Sequence, residues 1–266
     1  MYDKFERKIN YLRVSVTDRC NLRCSYCMPP GGIKLLPQRE ILSFAEITEV
    51  VRVAVSKGVD KVRITGGEPL VRRDIVKLVG MIGRIEGIND LSMTTNGVLL
   101  EQFAADLSAA GLMRVNVSLD TVDPVKFSEI TNGGDLDAVL RGIKAAVSAG
   151  LTPVKLNCVV KESKEDPDPV AVDRFAGENG LEVRFIRLMD LESGEFSVVE
   201  GGEGGDCIQC NRLRLTASGM INPCLFSDLQ FSVRELGAET AIREAIANKP
   251  QCGSLNSQNK FYNIGG

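Results

Sequence analysis

Short apolar segments alternate with amphipathic ones from residue 9 to about residue 187. Each apolar segment is rich in Val, Ile or Leu, as expected for the strands of a parallel sheet that is covered on both faces. The segments between them repeat apolar residues with helical spacing. This alternation predicts an α/β fold with a parallel sheet. The predicted strands cover residues 10–17, 61–65, 91–95, 114–119, 153–160 and 182–188.

The predicted helices between these strands carry start and stop signals. Ser43 and Glu46 form a capping box ahead of a segment whose apolar residues fall on one face. Gly58 and Gly150 each follow a helical pattern and precede a strand, where a left-handed C-terminal residue is common. The remaining predicted helices cover residues 73–84, 99–110, 124–130, 136–149, 170–179 and 232–247.

Six strand–helix units imply right-handed crossovers and one parallel sheet. They are fewer than the eight units of a complete barrel, so an incomplete barrel and an open wound sheet both fit the pattern. In either architecture we expect the site residues at the carboxyl ends of the strands. Beyond Met189 the pattern changes, because residues 192–206 are rich in Gly, Glu and Ser and predict a flexible connector or loop.

The composition of the chain narrows the chemistry that it can perform. The 266 residues include no histidine, which excludes a histidine base, a histidine metal ligand and a Ser–His–Asp triad. The net charge of −3 offers no general attraction for nucleic acid. No apolar run approaches the roughly 20 residues that span a bilayer, and the N-terminus lacks the apolar segment of a secretory signal. We therefore expect a cytoplasmic protein without nucleic-acid or membrane partners.

Six of the eight cysteines fall in two tight groups, which favours metal binding over disulfides. Cys20, Cys24 and Cys27 form the first group and follow the first strand with C-x3-C-x2-C spacing. A 4Fe–4S cluster is usually held by four thiolates, so three thiolates would leave one iron open to a small molecule. A zinc site with a distant fourth ligand and incidental cysteines are the alternatives.

Together with Gly66-Gly67-Glu68-Pro69 after the second strand, the first cysteine group resembles the radical S-adenosylmethionine (SAM) superfamily. The resemblance implies that the open iron binds SAM and that the reduced cluster splits it into methionine and a 5′-deoxyadenosyl radical. It places Tyr26 near the adenosine and the backbone of Gly67 at the methionine end, where a Cβ would obstruct close approach. Ser118 and Met189 resemble the remaining SAM contacts, with core packing as the alternative for Met189.

A second group, Cys207, Cys210 and Cys224, supplies three more thiolates near the C-terminus. Spacing alone would also allow a zinc site with Cys252 as the fourth ligand. The surrounding Cys-Asn-Arg-Leu-Arg-Leu-Thr, the later Cys-Leu-Phe and the terminal Gly-Gly closely resemble the GTP 3′,8-cyclase family of molybdenum cofactor biosynthesis.

Members of that family remove a hydrogen atom from the ribose 3′ carbon of GTP. The ribose then attacks C8 of guanine, giving 3′,8-cyclo-7,8-dihydro-GTP. The resemblance, over residues 11–189 and 207–266, implies a second 4Fe–4S cluster whose open iron binds the guanine base. Cys252 is therefore not expected to be a ligand, and Cys158 is expected to be a buried small hydrophobe. The resemblance also implies an external one-electron donor and delivery of the product to the next enzyme of the pathway.

Basic residues are expected to hold the triphosphate, because guanidinium groups bind phosphate oxygens in pairs. Arg13 and Arg63 lie in apolar strand segments, where a charged side chain needs an anion or carboxylate partner. Lys155 and Arg214 are more easily explained as ordinary salt-bridge residues. The resemblance implies catalytic roles for Arg212, Arg214, Gly265 and Gly266, and GTP contacts for Arg13, Arg63, Thr94, Lys155, Arg212 and Arg214.

Two departures from the family's pattern bear on activity. Only 17 residues separate Met189 from Cys207, where family members carry a much longer segment. That shortening can remove secondary structure that docks the second cluster over the barrel. Arg187 also replaces a residue that is usually acidic.

We predict an incomplete (βα)6 TIM-like barrel over residues 1–190 and a small C-terminal Fe–S domain over residues 191–266, with a shortened connector at 191–206. A radical SAM cyclase acting on GTP is the preferred function. The alternatives are another radical SAM enzyme with an auxiliary cluster and a non-catalytic Fe–S protein. A homodimer is compatible with these patterns.

Overall fold

A nine-stranded sheet runs through the computed structural model, which describes residues 1–29, 31–258 and 261–264. The first six strands lie where the alternating pattern predicts them, with ends shifted by at most two residues. In chain order the strands are β1 (Tyr11–Ser15), β2 (Lys61–Thr65), β3 (Asp90–Thr95), β4 (Arg114–Ser118), β5 (Lys155–Val160), β6 (Glu182–Arg187), β7 (Arg212–Leu215), β8 (Met220–Asn222) and β9 (Phe231–Ser232).

The helices also follow the predicted pattern, with one division and one short unpredicted helix at Phe261–Ile264. The predicted helix at 232–247 is split into two because Gly237, with a φ of +75°, interrupts it. No helix in the described part of the chain is long and apolar enough to cross a membrane. The helices are α1 (Phe44–Ser56), α2 (Ile75–Gly83), α3 (Leu100–Ala109), α4 (Pro124–Thr131), α5 (Leu136–Ser148), α6 (Pro167–Glu178), α7 (Val233–Leu236), α8 (Ala238–Ala247) and α9 (Phe261–Ile264), with 3-10 turns at Gln38–Glu40 and Pro69–Val71.

The strands are hydrogen-bonded in the order β6-β5-β4-β3-β2-β1-β7-β8-β9, and every neighbouring pair from β6 to β7 is parallel. Leu12 and Val14 of β1 are fully buried in one apolar core with Ile47 and Val51 of α1. Alternate residues of a strand point to opposite faces, so Arg13 faces away from this core. The parallel sheet thus has an apolar face toward the helices and a second face that is free to carry polar side chains.

The seventh parallel strand, β7, lies outside the predicted set. It pairs with β1, although β2 to β6 come between the two strands in sequence. Leu213 and Leu215 are fully buried there, and each burial is worth about 1.5–3 kcal/mol. Since β7 to β9 join the same sheet as β1 to β6, the predicted division into domains at residue 190 stays a prediction.

The segment between β6 and the second cysteine group packs closely against β6, where a flexible connector or loop is predicted. Phe185 and Glu200 exchange two backbone hydrogen bonds of 3.1 Å each. Gly201 has a φ of +74°, and a Cβ at this position would lie 2.5 Å from the carbonyl oxygen of Val183. Glycine at position 201 therefore serves close packing as well as backbone freedom.

An ion pair joins the start of α1 to α7. Arg234 Nε donates to Glu46 Oε1 at 2.9 Å, and the other Glu46 oxygen accepts from the backbone nitrogen of Ser43 at 2.7 Å. The hydrogen bond from Arg234 lowers the pKa of Glu46 to about 2, against the opposing effect of burial and with help from Ser43. Glu46 therefore completes the predicted capping box and also links the first helix to the C-terminal part of the chain.

The Glu46→Gln variant should lower the free energy of unfolding at pH 7 by about 0.5–1 kcal/mol, a modest value because the pair is partly exposed to solvent. A lowered carboxyl pKa stabilises the folded state above the unfolded pKa, so this contribution should disappear as the pH falls from about 4.5 toward about 2. Urea unfolding of the metal-free chain at several pH values measures it.

The matched control is Glu49→Gln on the same helix. Within the described residues Glu49 pairs only with Arg52, three residues along α1, and both side chains are more than half exposed. Its replacement should change the free energy of unfolding by no more than about 0.5 kcal/mol. Equal effects of the two substitutions would contradict the role given to the Glu46–Arg234 link.

Candidate functional site

One cavity of about 640 Å³ lies on the polar side of the parallel sheet. Every predicted site residue that the structure describes lines it, whereas Gly265 and Gly266 lie outside the described residues. The predicted residues in the cavity are Arg13, Cys20, Cys24, Tyr26, Cys27, Arg63, Gly67, Thr94, Ser118, Lys155, Met189, Cys207, Cys210, Arg212, Arg214 and Cys224. Their roles as ligands stay predictions.

The first cysteine group sits in a loop beyond the carboxyl end of β1. The backbone nitrogens of Cys27 and Met28 both donate to the carbonyl of Cys24 at 3.0 Å, which forms a tight turn. Backbone nitrogens of the same loop donate to carbonyls at the end of α4, from Arg23 to Thr131 at 3.1 Å and from Ser25 at 2.9 Å. These bonds hold the three thiols at one end of the cavity.

The chemistry of the first group suits a cationic cluster. Burial raises the pKa of Cys24 to about 12, with further increases from the neighbouring Cys27, Asp120 and Cys20. Burial and the nearby Cys20 likewise raise the pKa of Cys27 to about 11. Each of the three thiols disfavours the ionisation of the others. Bound iron would stabilise the thiolate forms, because a coordinated thiol is deprotonated by its metal.

Position 67 must be glycine because of a close contact that the sequence analysis did not identify. A Cβ on Gly67 would lie 2.4 Å from the carbonyl oxygen of Arg19, and one on Gly66 would lie 2.8 Å from that of Thr17. The backbone nitrogens of Gly67 and Glu68 donate to Thr17 and Arg19 at 2.7 and 2.8 Å. The glycines therefore allow the loop after β2 to pack on the cysteine loop itself, while Gly67 still lines the cavity.

Two polar residues near the first group were missed by the sequence analysis. Tyr26 donates its hydroxyl hydrogen to Asp120 at 2.8 Å, and Asp120 also accepts from the backbone nitrogen of Val159 at 2.8 Å. The side-chain nitrogen of Asn96 lies 2.8 Å from Asn21 and 3.8 Å from the sulfur of Cys20. Asp120 and Asn96 both come just after predicted strands, which is the signal that would have identified them.

The second cysteine group lies at the opposite end of the strands. Cys210 precedes β7, whose parallel partner β1 leads to Cys20, so the two groups flank one strand pair. A five-residue strand such as β1 spans about 13–16 Å. The expectation that all site residues gather at carboxyl ends is therefore wrong for Cys207, Cys210 and Arg212, because an unpredicted strand carries them to the amino ends.

Positive charge surrounds the second group. Burial raises the pKa of Cys210, but the charge of Lys249 and a backbone hydrogen bond from Arg212 outweigh it and lower that pKa overall. No three carboxylate or thiol side chains among the described residues converge on a single metal ion. A four-iron cluster is wider than a single ion and presents a separate iron to each thiolate. Three sulfurs around one end of a cavity are therefore a suitable donor set.

Three arginines lie side by side between the cysteine groups. The strand register places Arg13 directly opposite Arg63 on one side and Arg214 on the other. Burial lowers the pKa of Arg63 and of Arg214 to about 10, and it lowers the pKa of Arg13, which also faces the charge of Arg214. Arg212 and Arg63 both stack on the ring of Tyr11, at 5.6 and 5.4 Å.

The cavity as a whole is strongly cationic. Among the described residues, ten basic and three acidic side chains line it, in a chain whose net charge is −3. Lys155 is paired with Glu182 on β6, which agrees with the interpretation of Lys155 as an ordinary salt-bridge residue. Five buried polar atoms on the cavity wall have no hydrogen-bond partner within the described structure: Tyr11 Oη, Thr65 Oγ1, Thr94 Oγ1, Asn157 Oδ1 and Arg184 Nε. Buried polar atoms of this kind are usually satisfied by a ligand or water.

Arg184 and Asn157 are two further cavity residues that the sequence analysis missed. Both lie on predicted strands and face the cavity, and a charged residue inside an apolar strand segment is the signal that selected Arg13. Arg187 also reaches the cavity wall and donates to the carbonyl of Glu162 at 2.9 Å. Cys158 is fully buried, as expected.

Comparison with known proteins identifies the class of fold and site. A family model described as the radical SAM superfamily matches residues 14–176. Solved structures of this fold include anSMEcpe with bound AdoMet (TM-score 0.64, 16% identity, covering 90% of this chain and 81% of that chain). Another is Streptococcus suis SuiB bound to S-adenosylmethionine (TM-score 0.55, 19% identity, covering 69% and 41%). The chain is a radical SAM protein, a membership that brings SAM and an iron–sulfur cluster as cofactors.

Two curated relatives narrow the class further, and both are named GTP 3′,8-cyclase. The one from Thermodesulfovibrio yellowstonii is 43% identical over 94% of this chain and 95% of its own length. The one from Peptoclostridium acidaminophilum is 39% identical over 100% of this chain and 98% of its own length. The chain belongs to the GTP 3′,8-cyclase family.

The same comparison bears on the predicted shortening of the chain. The alignment with the P. acidaminophilum relative has 319 positions and takes in all 266 residues of this chain. It therefore leaves 53 positions of the relative without a counterpart here. A difference of this size agrees with the short segment predicted at residues 191–206.

The Gly67→Ala variant tests the packing of the two loops. Because the new Cβ would meet a backbone oxygen, one loop must shift, and the free energy of unfolding should fall by about 1–3 kcal/mol. Urea unfolding of the metal-free chain measures this. The matched control is Gly177→Ala in α6, where no atom lies near the new Cβ and stability should rise by about 0.5–1 kcal/mol. A Gly67→Ala chain as stable as the parent would contradict the contact.

Proposed function

We propose that this protein converts GTP to 3′,8-cyclo-7,8-dihydro-GTP, the first step of molybdenum cofactor biosynthesis. The observation that carries the proposal is the row Arg214, Arg13 and Arg63, set abreast inside a cavity with a cysteine group at each end. A row of buried guanidinium groups suits a polyphosphate, because each can bind phosphate oxygens in pairs. The names of the curated relatives support the same substrate.

In the proposed enzyme each cysteine group holds a 4Fe–4S cluster with one open iron. Bound at the first cluster, SAM would supply the radical that removes a hydrogen atom from the ribose of GTP. Tyr26, fixed by Asp120, would position the adenosine, and the hydroxyl of Ser118 lines the same end of the cavity. Gly67 and Met189 complete the proposed SAM contacts. The proposed ligands are Cys20, Cys24 and Cys27 for the first cluster and Cys207, Cys210 and Cys224 for the second.

The residues between the clusters would hold and orient the nucleotide. Arg13, Arg63 and Arg214 neutralise the triphosphate, and Arg212 stands next to Cys210, where the guanine would lie. Thr94, on the same wall, offers a hydroxyl group. Lys155 contributes less, since Glu182 already pairs with it. The rings of Phe196 and Phe226 stack at 4.4 Å on the cavity wall and exclude water from the reacting ends.

The proposal includes the architecture and partners that the sequence predicts. The parallel sheet would form an incomplete barrel around the cavity, with the last part of the chain as a small Fe–S domain. The catalytic set would comprise Arg212 and Arg214 together with the terminal Gly265 and Gly266. The electron would come from an external one-electron donor, and the product would pass to the next enzyme of the pathway. A homodimer and a cytoplasmic location belong to the same proposal.

Anaerobic reconstitution with iron and sulfide, followed by SAM, dithionite and GTP, tests this function. Mass spectrometry should detect 5′-deoxyadenosine and a cyclised GTP product. Cys24→Ala should abolish both, whereas Cys210→Ser should retain SAM cleavage without substrate and lose GTP conversion. Deoxyadenosine without the GTP product would reject GTP as substrate, and unchanged deoxyadenosine formation by Cys24→Ala would reject the first-cluster assignment.

Substrate binding is tested by Arg212→Ala. Loss of a charge-assisted phosphate or base contact should weaken GTP binding by about 1.5–3 kcal/mol, measured by equilibrium dialysis of the loaded protein. Arg73→Ala is the matched control, because the Arg73 side chain is 95% exposed and lies outside the cavity. Equal GTP affinity in the Arg212 variant and the control would place the nucleotide elsewhere.

A further inference from the structure

The eighth cysteine, Cys252, lies against the second cysteine group. Its sulfur is 3.0 Å from that of Cys207, and its side chain is exposed. A Cβ on the next residue, Gly253, would come within 3.3 Å of the sulfur of Cys224. Cys252, which the resemblance does not imply as a ligand, therefore lies in one neighbourhood with the other three thiols.

A buried arginine holds the segment of Cys252 to Cys207. Arg7 is 8% exposed and is paired with Asp3 at 2.7 Å. Its guanidinium donates to the carbonyl of Cys207 at 2.7 Å and to the carbonyls of Gln251 and Pro250 at 2.8 and 2.7 Å. One cation thus fixes the backbone at Cys207 and the backbone directly before Cys252.

A buried lysine ties the same segment to the other two cysteines. Lys249 is 1% exposed, and its ammonium group donates to the carbonyl of Arg212 at 2.8 Å and also to the carbonyl of Pro223. Those carbonyls lie two residues after Cys210 and one residue before Cys224. Burying a lysine this deeply is costly unless its charge is well satisfied, so this is a built arrangement rather than a chance approach of a tail.

We propose that Cys252 supplies a fourth thiolate to the C-terminal cluster when GTP is absent, and that GTP displaces it. The inference rests on the proposed function for the C-terminal cluster and for the displacement step. Four thiolates are the usual ligand set of a 4Fe–4S cluster, so Cys252 would complete it at the fourth iron once its sulfur and that of Cys207, now 3.0 Å apart, separate to bind different irons. Its exposed position allows it to leave toward solvent.

The exchange is balanced without any redox change. The Cys252 thiol loses one proton to solvent as its sulfur binds the iron. When GTP arrives, the iron–sulfur bond breaks, the sulfur keeps the electron pair, and the thiolate takes a proton back from solvent. The cluster would then be closed between turnovers, which protects an otherwise open iron from oxidants.

Alkylation of the reconstituted full-length chain tests this exchange. The protein, loaded with iron and sulfide, is treated anaerobically with iodoacetamide beside a phosphine reductant, so that no disulfide can protect a thiol. Peptide mass spectrometry then follows each cysteine. Without GTP, Cys252 should be as protected as Cys207, Cys210 and Cys224. With GTP, Cys252 alone should become labelled, and removal of iron by a chelator should expose all four.

The outcomes separate this inference from the proposed function. Rapid labelling of Cys252 without GTP, while the other three are protected, would overturn the fourth ligand and leave the cyclase intact if product forms. Protection that persists while GTP is converted would overturn the displacement. Protection in a chain that neither binds nor converts GTP would support a four-thiolate site and reject the cyclase.

A second measurement does not depend on GTP. In a full-length chain with Cys20, Cys24 and Cys27 replaced by alanine, only the C-terminal cluster can form. Mild oxidation with ferricyanide should convert it to a three-iron cluster, seen by electron paramagnetic resonance, when Cys252→Ser is added. The parent and the neighbouring control Ser254→Ala should resist this loss. Equal signals in all three chains would overturn the inference.

Discussion

Parallel pairing between β1 and β7 is the interaction on which the rest of the site depends. It aligns Arg214 with Arg13 and brings the second cysteine group to the amino end of the strand pair, opposite the first. Without this pairing the two groups would belong to separate parts of the molecule. The buried side chains of Leu213 and Leu215 supply the driving force that holds the strand in place.

The pairing has an electrostatic cost that a ligand can offset. It adds Arg212 and Arg214 to a wall that already carries Arg13 and Arg63, in a cavity where basic side chains greatly outnumber acidic ones. Burial and mutual repulsion lower the pKa of Arg13 and of Arg214, so the charged forms are less stable here than in water. A polyanion in the cavity would stabilise the charged forms of these arginines and offset their mutual repulsion. A nucleotide triphosphate therefore suits the cavity better than a neutral substrate.

Local patterns were sufficient to predict β1 to β6 and α1 to α6, because each is long enough to show its period and its caps. They failed for β7, whose four residues alternate Arg and Leu but give no indication of a distant partner. The first cysteine group followed from its spacing, and the other predicted site residues followed from resemblance in sequence. The positions of Asp120 and Arg184 carry a signal in the sequence, but their roles needed the structure, since those roles depend on which side chains meet across strands. The need for glycine at position 67 also has a cause that only the structure shows. The Arg19 carbonyl that Gly67 accommodates lies on another loop.

The cavity is lined in part by the short segment between β6 and the second cysteine group. Gly201, Gly202 and Gly205 lie on its wall, and a side chain at the first or last would collide with backbone oxygens of Val183 or Ser197. These glycines therefore allow the short segment to pack closely against β6 and against its own backbone. The same short path leads directly to Cys207, whose carbonyl is held by Arg7. The position of Cys207 thus depends on the buried Arg7, which also holds the backbone directly before Cys252.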